Sequence, residues 1–87
     1  MFVILAYDVG KKRVSKVMKI CRRYLLHVQN SVFEGTITQA QMNKLKAELE
    51  KKIEKEVDHI CIYEFESLKY SRKEQIGSVS TYQTIID

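Results

Sequence analysis

The sequence predicts a single α+β domain in which two helices alternate with four strands. Apolar residues recur at the spacing of one helix face in two segments, and the segments between them show the continuous or alternating apolar pattern of strands. Residues 1–87 provide enough chain for one domain, and 45% of them are hydrophobic, which argues against disorder. The predicted order is strand, helix, strand, strand, helix, strand.

The first strand and the first helix occupy the N-terminal quarter of the chain. Residues 2–7 form an unbroken apolar run, which is typical of a strand buried on both faces. The strand ends at Asp8-Val9-Gly10. Between Lys11 and Tyr24 a helix is predicted by apolar residues that share one helix face: Val14, Val17, Met18 and Cys21.

Two short strands and a second helix follow. The alternation of Leu26–Gln29 is broken at Asn30-Ser31 before Val32–Glu34, and Asn and Ser favour tight turns because their side chains bond to the local backbone. Thr38-Gln39-Ala40-Gln41 has the form of a capping box, which predicts where the second helix begins. That helix has one apolar stripe: Met42, Leu45, Leu49 and Ile53.

Residues 58–65 predict the fourth strand, and the complete order predicts a ferredoxin-like βαββαβ fold. Both helices then cover one face of the sheet, and we expect the other face to pack against a second copy in a homodimer. Residues 1–65 are the predicted core. Residues 66–87 are predicted to be a tail that pairs with the partner protomer and adds an extra C-terminal strand at residues 72–77.

Positive charge is concentrated near the N-terminus. Between Asp8 and Glu34 the chain has seven basic residues and no acidic residue. Such a surface attracts phosphates, although a solvent-exposed helix face rich in lysine has the same composition. The candidate nucleic-acid-binding residues are Lys11, Lys12, Arg13 and Lys16.

Asp8 is the residue with the position of a catalytic group, because it ends a buried strand just before the basic helix. A carboxylate there can bind Mg²⁺ through oxygen while the nearby cations hold a phosphate. The alternative interpretation is that Asp8 caps the helix, a role that its position alone favours. One carboxylate is a small ligand set, so a two-fold axis near Asp8 would be needed for two copies to share an ion.

Other classes of protein are disfavoured. Cys21 and Cys61 lack the spacing of a zinc or redox motif, so we expect both to be reduced core residues. Phosphate-binding glycine loops and Ser/His/Asp signatures do not occur. No apolar run approaches the roughly 20 residues that span a bilayer, and the N-terminal run does not resemble a signal peptide. We therefore expect a cytoplasmic protein that does not contact a membrane.

Several of these segments resemble the second core family of CRISPR-associated proteins. They are Tyr7-Asp8 after an apolar strand, the run Val28-Gln29-Asn30-Ser31-Val32-Phe33-Glu34-Gly35, the helix from Thr38 through Lys46, the strand from Asp58 to Tyr63, and the segment from Arg72 to Gly77. The resemblance covers most of residues 1–77, and the run from Gln29 to Gly35 is its most specific part.

The resemblance implies a ferredoxin-like homodimer that acts as a Mg²⁺-dependent endoribonuclease, with some relatives that cut duplex DNA. Asp8 matches the metal-binding aspartate of the family, and Phe33 matches an aromatic residue near the site. Tyr7 and Ser31 belong to the matching motifs and are further candidates to support it. His27 stands where some relatives have an arginine, which puts a phosphate contact at that position in doubt.

Four functional hypotheses follow. The first is hydrolysis of RNA or duplex DNA by metal-activated water at Asp8. The second, also implied by the resemblance, is an adaptor dimer that binds duplex DNA and bridges the CRISPR integrase protein during spacer acquisition. The third is a ribonuclease toxin of the same fold, and the fourth is a regulatory ferredoxin-like domain.

Overall fold

The computed structural model describes residues 1–66 and Ile76. The elements are β1 (Phe2–Asp8), α1 (Lys11–Arg22), β2 (Leu26–Gln29), β3 (Val32–Thr36), α2 (Gln39–Lys52) and β4 (His59–Phe65). The sheet order is β2-β3-β1-β4, and each neighbouring pair is antiparallel. The ferredoxin-like core predicted from the sequence is confirmed. The predicted C-terminal strand and the pairing of the tail lie outside the described residues, apart from Glu66 and Ile76.

The core lies between the two helices and one face of the sheet. Alternate residues of β1 point to this face, as strand geometry requires, and Val3, Leu5 and Tyr7 are buried there. They join the buried residues of the other elements in one cluster: Val17, Ile20, Cys21, Leu25, Phe33, Ile37, Met42, Leu45 and Leu49. Among the described residues, neither helix is long and apolar enough to cross a membrane.

The opposite side of the sheet, which we call the open face, is not covered by a helix of residues 1–66. By register and alternation it comprises Phe2, Ile4, Ala6 and Asp8 of β1 with Phe65, Tyr63, Cys61 and His59 of β4. Tyr63 is 55% exposed and Phe65 is 38% exposed. Cys61 is only partly buried, contrary to its predicted place in the core, because it lies on this face. Cys21 is buried as predicted, and burial raises the pKa of its thiol to about 12.

Local interactions define where α2 begins and how the chain turns between β2 and β3. The Thr38 hydroxyl accepts from the Gln41 amide at 3.1 Å, and the Thr38 amide donates to Gln41 Oε1 at 2.9 Å, which confirms the predicted capping box. The turn between β2 and β3 contains Asn30 at a φ of 37°, a left-handed conformation that Asn adopts more readily than most residues.

Candidate active site

Asp8 is the exposed last residue of β1, and it lies on the open face. Its partner in the register of β1 and β4 is His59, the first residue of β4. The basic helix α1 begins at Lys11, only a short loop away. The carboxylate therefore stands at the exit of the central strand, between the open face and the start of the basic helix.

The interpretation of Asp8 as the cap of α1 is wrong. The N-cap residue is Gly10, and no side-chain hydrogen bond caps the helix. The Gly10 amide donates instead to Asp58 Oδ1 at 2.9 Å. The Asp8 carboxylate is therefore not used to begin the helix, which removes the main structural explanation for its position.

Asp58 is the important residue that the sequence did not single out. Its side chain is 0% exposed, and it accepts from the Gly10 amide and from the Glu54 amide, the latter at 2.8 Å. Arg13 adds two bonds, from Nε at 2.5 Å and from Nη2 at 2.9 Å. The bond from Arg13 is the main cause that holds the pKa of the Asp58 carboxyl well below its usual range, and the two backbone amides act in the same direction.

The Arg13 guanidinium leaves no room for a side chain at position 10 unless it moves. A Cβ built on Gly10 would lie 2.5 Å from Arg13 Nη2 and 3.7 Å from Asp58 Oδ1. A side chain would therefore displace the guanidinium from the carboxylate. No signal in the sequence links Gly10 or Arg13 to Asp58, since Asp58 is far away in the chain and its neighbours show only the pattern of a strand.

Asp58→Asn should lower the melting temperature at neutral pH, and the difference from wild type should shrink in acid. An unfolded Asp has a pKa of about 3.9. The pKa of Asp58 is lowered in the folded protein. The stabilisation from its ionised carboxylate is therefore fully present above the pKa of the unfolded chain, and it is lost as the pH falls from there towards the pKa of the folded protein. Thermal unfolding followed by circular dichroism should show a constant difference between about pH 5 and 8 that narrows below about pH 4.

The matched control for the acid dependence is Glu56→Gln, which removes one exposed carboxylate from the same loop. Its melting temperature should stay close to wild type at each pH, since exposed surface substitutions usually have small effects. A difference between wild type and Asp58→Asn that does not change with pH would contradict the assignment of the stabilisation to the ionised carboxylate.

The four cations predicted to bind nucleic acid are in two different environments. Lys11, Lys12 and Lys16 are exposed on α1. The side chain of Arg13 is only 21% exposed, and besides Asp58 it has Glu54 Oε1 within 3.9 Å of its Nη1. The hydrogen bond to Asp58 raises the pKa of Arg13. Arg13 stays a predicted phosphate contact, but its guanidinium is already engaged within the protein.

Two of the three candidate supporting residues, Tyr7 and Phe33, lie on the other face of the sheet from Asp8. Tyr7 and Phe33 are buried on the helix side of the sheet, with ring centroids 6.1 Å apart. The Ser31 carbonyl accepts from the Tyr7 amide at 3.1 Å, which ties the end of β1 to the hairpin turn. His27 is also buried, and its ring stacks on Phe33 with a centroid distance of 4.4 Å. Burial keeps His27 away from a phosphate at the surface.

The available donor groups indicate which kind of metal ion Asp8 could bind. Within the part of the chain that the structure describes, no group of three or more His, Cys, Asp or Glu residues could hold a metal ion. Such a sparse donor set does not suit a structural zinc ion, which takes four protein ligands. It fits Mg²⁺, which keeps several waters and is held by one or two carboxylates together with substrate phosphates.

Comparison with known proteins identifies the family. The family described as CRISPR associated protein Cas2 matches residues 1–73. This chain belongs to the Cas2 family. The match includes Asp8, α1 and the hairpin with the run from Gln29 to Gly35, so the family expected from these motifs is confirmed.

Individual relatives agree with this assignment. The chain is 47% identical over 76 residues to CRISPR-associated endoribonuclease Cas2 3 of Thermodesulfovibrio yellowstonii, covering 87% of this chain and 86% of the relative. It is 44% identical over 78 residues to CRISPR-associated endoribonuclease Cas2 of Methanosarcina acetivorans, with 90% of each chain covered. The crystal structure of Streptococcus pyogenes Cas2 superposes with a TM-score of 0.77 at 35% identity, over 88% of this chain and 100% of that one.

Proposed function

We propose that this Cas2 family member is a metal-dependent endoribonuclease of prokaryotic antiviral defence, which works in the cytoplasm as a homodimer. The observation that carries the proposal is the exposed carboxylate of Asp8 at the end of β1, which the start of α1 does not use. The relatives named endoribonucleases support the same activity. The family match favours this function over a ribonuclease toxin or a regulatory domain.

The homodimer is proposed from the open face. Large apolar residues of this face, Tyr63 and Phe65, are exposed in one protomer, and the Phe2 and Phe65 rings are 6.1 Å apart. A chain of this size buries only about 60% of its unfolded surface, so burial of a further apolar face stabilises it. Because Asp8 lies on the same face, we place the two-fold axis of the proposed dimer near the two copies of Asp8.

The proposed chemistry is hydrolysis of a phosphodiester bond. The two Asp8 carboxylates would hold Mg²⁺, which when bound would supply an activated water and stabilise charge on the phosphate. Lys11, Lys12 and Lys16 are exposed in the first turns of α1 and would hold the backbone of the nucleic acid. Their positive charge would also offset the negative charge that develops on the oxygens of the reacting phosphate.

The proposal is tested by a cleavage assay with the full-length chain. Single-stranded RNA and duplex DNA are incubated with Mg²⁺, with Mn²⁺, and with a chelator, over a range of pH. We expect cleavage that stops on chelation and returns when the metal is restored. Failure to cleave either substrate with either metal, in a preparation that binds duplex DNA, would support the second candidate below.

The second candidate is a DNA-binding adaptor that bridges the CRISPR integrase protein and does not cut. It is favoured by the exposed lysines of α1, which can hold a phosphate backbone without a metal ion. Both candidates require binding of a phosphate backbone by the same helix. A cleavage assay distinguishes the nuclease from the adaptor, whereas a measurement of binding affinity does not.

Binding of duplex DNA should depend strongly on salt and little on sequence. Each phosphate contact with duplex DNA contributes about 0.9 to the steepness of the log–log dependence of affinity on salt. Lys12→Gln combined with Lys16→Gln should therefore weaken binding and reduce that steepness by about 1.8. Fluorescence anisotropy at several salt concentrations measures both quantities.

The control for this experiment changes the net charge equally but elsewhere. Lys44 and Lys51 are exposed on α2, the first close to the middle of the helix and the second in its last turn. Their double replacement by Gln should leave the steepness close to wild type. Equal effects of the two double variants would show that net charge, and not the surface of α1, governs binding.

A further inference from the structure

We infer that Asp58 is a positioning residue for Asp8, acting through Gly10 and Arg13. This inference rests on the proposed role of Asp8 as the metal ligand, and it extends that role to a buried residue that no part of the resemblance singled out. Asp58 does not contact the open face itself. Its contribution is to hold the two segments between which Asp8 lies.

The two segments that flank Asp8 meet at Asp58. On one side, β1 pairs with β4, and the register places Asp8 opposite His59, the residue that follows Asp58. On the other side, the loop after Asp8 is held by the bond from the Gly10 amide to Asp58 Oδ1 at 2.9 Å. One side chain therefore links the start of β4 to the loop that leaves β1.

The hydrogen bonds of Asp58 leave it no free oxygen to bind a metal ion, which supports a positioning role. Oδ1 accepts from the Gly10 amide and from Arg13 Nη2, while Oδ2 accepts from Arg13 Nε and from the Glu54 amide. A carboxylate offers about four lone-pair sites, so these four bonds occupy its capacity within the protein. With its side chain 0% exposed, Asp58 has no oxygen to offer to an ion on the open face.

The geometry of this cluster is specific. Arg13 binds Asp58 through two different nitrogens of its fork, a planar arrangement that a lysine cannot reproduce. A Cβ at position 10 would lie 2.5 Å from Arg13 Nη2, so any side chain there would force the fork to shift. Misplacement of a reacting group by about 1 Å can cost about 100-fold in rate, so small movements of the loop after Asp8 should be visible in function.

The chain offers a matched control for a test of this role. Glu48 of α2 accepts from Arg23 and from the Tyr24 hydroxyl, just beyond the end of α1. Like the Arg13–Asp58 contact, it joins an arginine of the α1 segment to a carboxylate from later in the chain, but it lies at the opposite end of α1 from Asp8. Glu48→Gln therefore weakens the helix packing without touching the loop that follows Asp8.

The experiment measures binding of Mn²⁺ alone to full-length protein by electron paramagnetic resonance, together with the melting temperature and the cleavage kinetics. Asp58→Asn and Glu48→Gln should both lower the melting temperature. Only Asp58→Asn should weaken Mn²⁺ binding, by about 10- to 100-fold as is usual when a group that orients a metal ligand is removed. Its kcat should fall, while KM for RNA stays close to that of Glu48→Gln.

Two further variants keep the test decisive if Asp58→Asn folds poorly. Gly10→Ala displaces the guanidinium without changing any charge, and Arg13→Lys keeps the charge but loses the fork; both should weaken Mn²⁺ binding in the same direction. Wild-type Mn²⁺ affinity in Asp58→Asn, or in both of these variants, would overturn the positioning role while leaving the proposed function intact. Wild-type protein that binds no Mn²⁺, alone or together with RNA, and does not cleave RNA would overturn the proposed function and this inference together.

Discussion

Asp8→Asn should reduce metal-dependent cleavage of RNA by about 1,000-fold and leave the fold and the oligomeric state unchanged. Asn has nearly the shape of Asp but lacks the charge that a hard cation such as Mg²⁺ requires. A metal ion stabilises the transition state by several kcal/mol, and each 1.36 kcal/mol corresponds to about tenfold in rate. Single-turnover cleavage with saturating Mg²⁺ measures the loss.

The stability of the Asp8 variants provides an independent check. Because Gly10 is the N-cap of α1 and no side chain caps it, both Asp8→Asn and Asp8→Ala should melt close to the wild-type temperature. A true cap would instead cost about 1 kcal/mol on replacement by Ala. Glu56→Gln, which removes an exposed carboxylate elsewhere, should retain full cleavage. Undiminished activity in Asp8→Asn would show that the cleavage does not depend on this carboxylate.

Ile4→Lys should convert the proposed homodimer into monomers. Ile4 lies in the middle of the open face, opposite Tyr63 in the register of β1 and β4. Packing of two open faces would bury two new ammonium groups near the two-fold axis, where like charges repel and desolvation is costly. Sedimentation equilibrium at micromolar concentration should give about twice the chain mass of 10.2 kDa for wild type and the single chain mass for the variant.

Cleavage should fall with the dimer, since the proposed metal site takes one Asp8 from each protomer. Val57→Lys is the matched control because Val57 is an apolar residue that is 67% exposed in the loop before β4, outside the strands that form the open face. It introduces the same charge and should leave both mass and cleavage unchanged. A monomeric wild type, or an Ile4→Lys variant that stays dimeric, would contradict face-to-face packing of the open faces.

The sequence by itself determined the order and type of the elements, because these depend on neighbouring residues. The apolar run of residues 2–7, the helix stripe from Val14 to Cys21, and the capping box at Thr38 all act within a few positions of the chain. The structure has a strand or helix at each of these places. The candidate Asp8 was also found this way, since its place between strand and helix is a local property.

The tertiary structure alone decided which side chains perform which role at the site. Position in the sequence favoured Asp8 as the cap, yet the group that meets Gly10 comes from Asp58. Arg13 appeared equivalent to the lysines beside it, but the fold places its guanidinium on the same carboxylate. These contacts join residues more than 40 positions apart, and they exist because β4 pairs with β1 in the sheet. The periodicity of apolar residues indicates on which face of a helix or strand a residue lies. It does not indicate which distant residue it contacts once the sheet has formed.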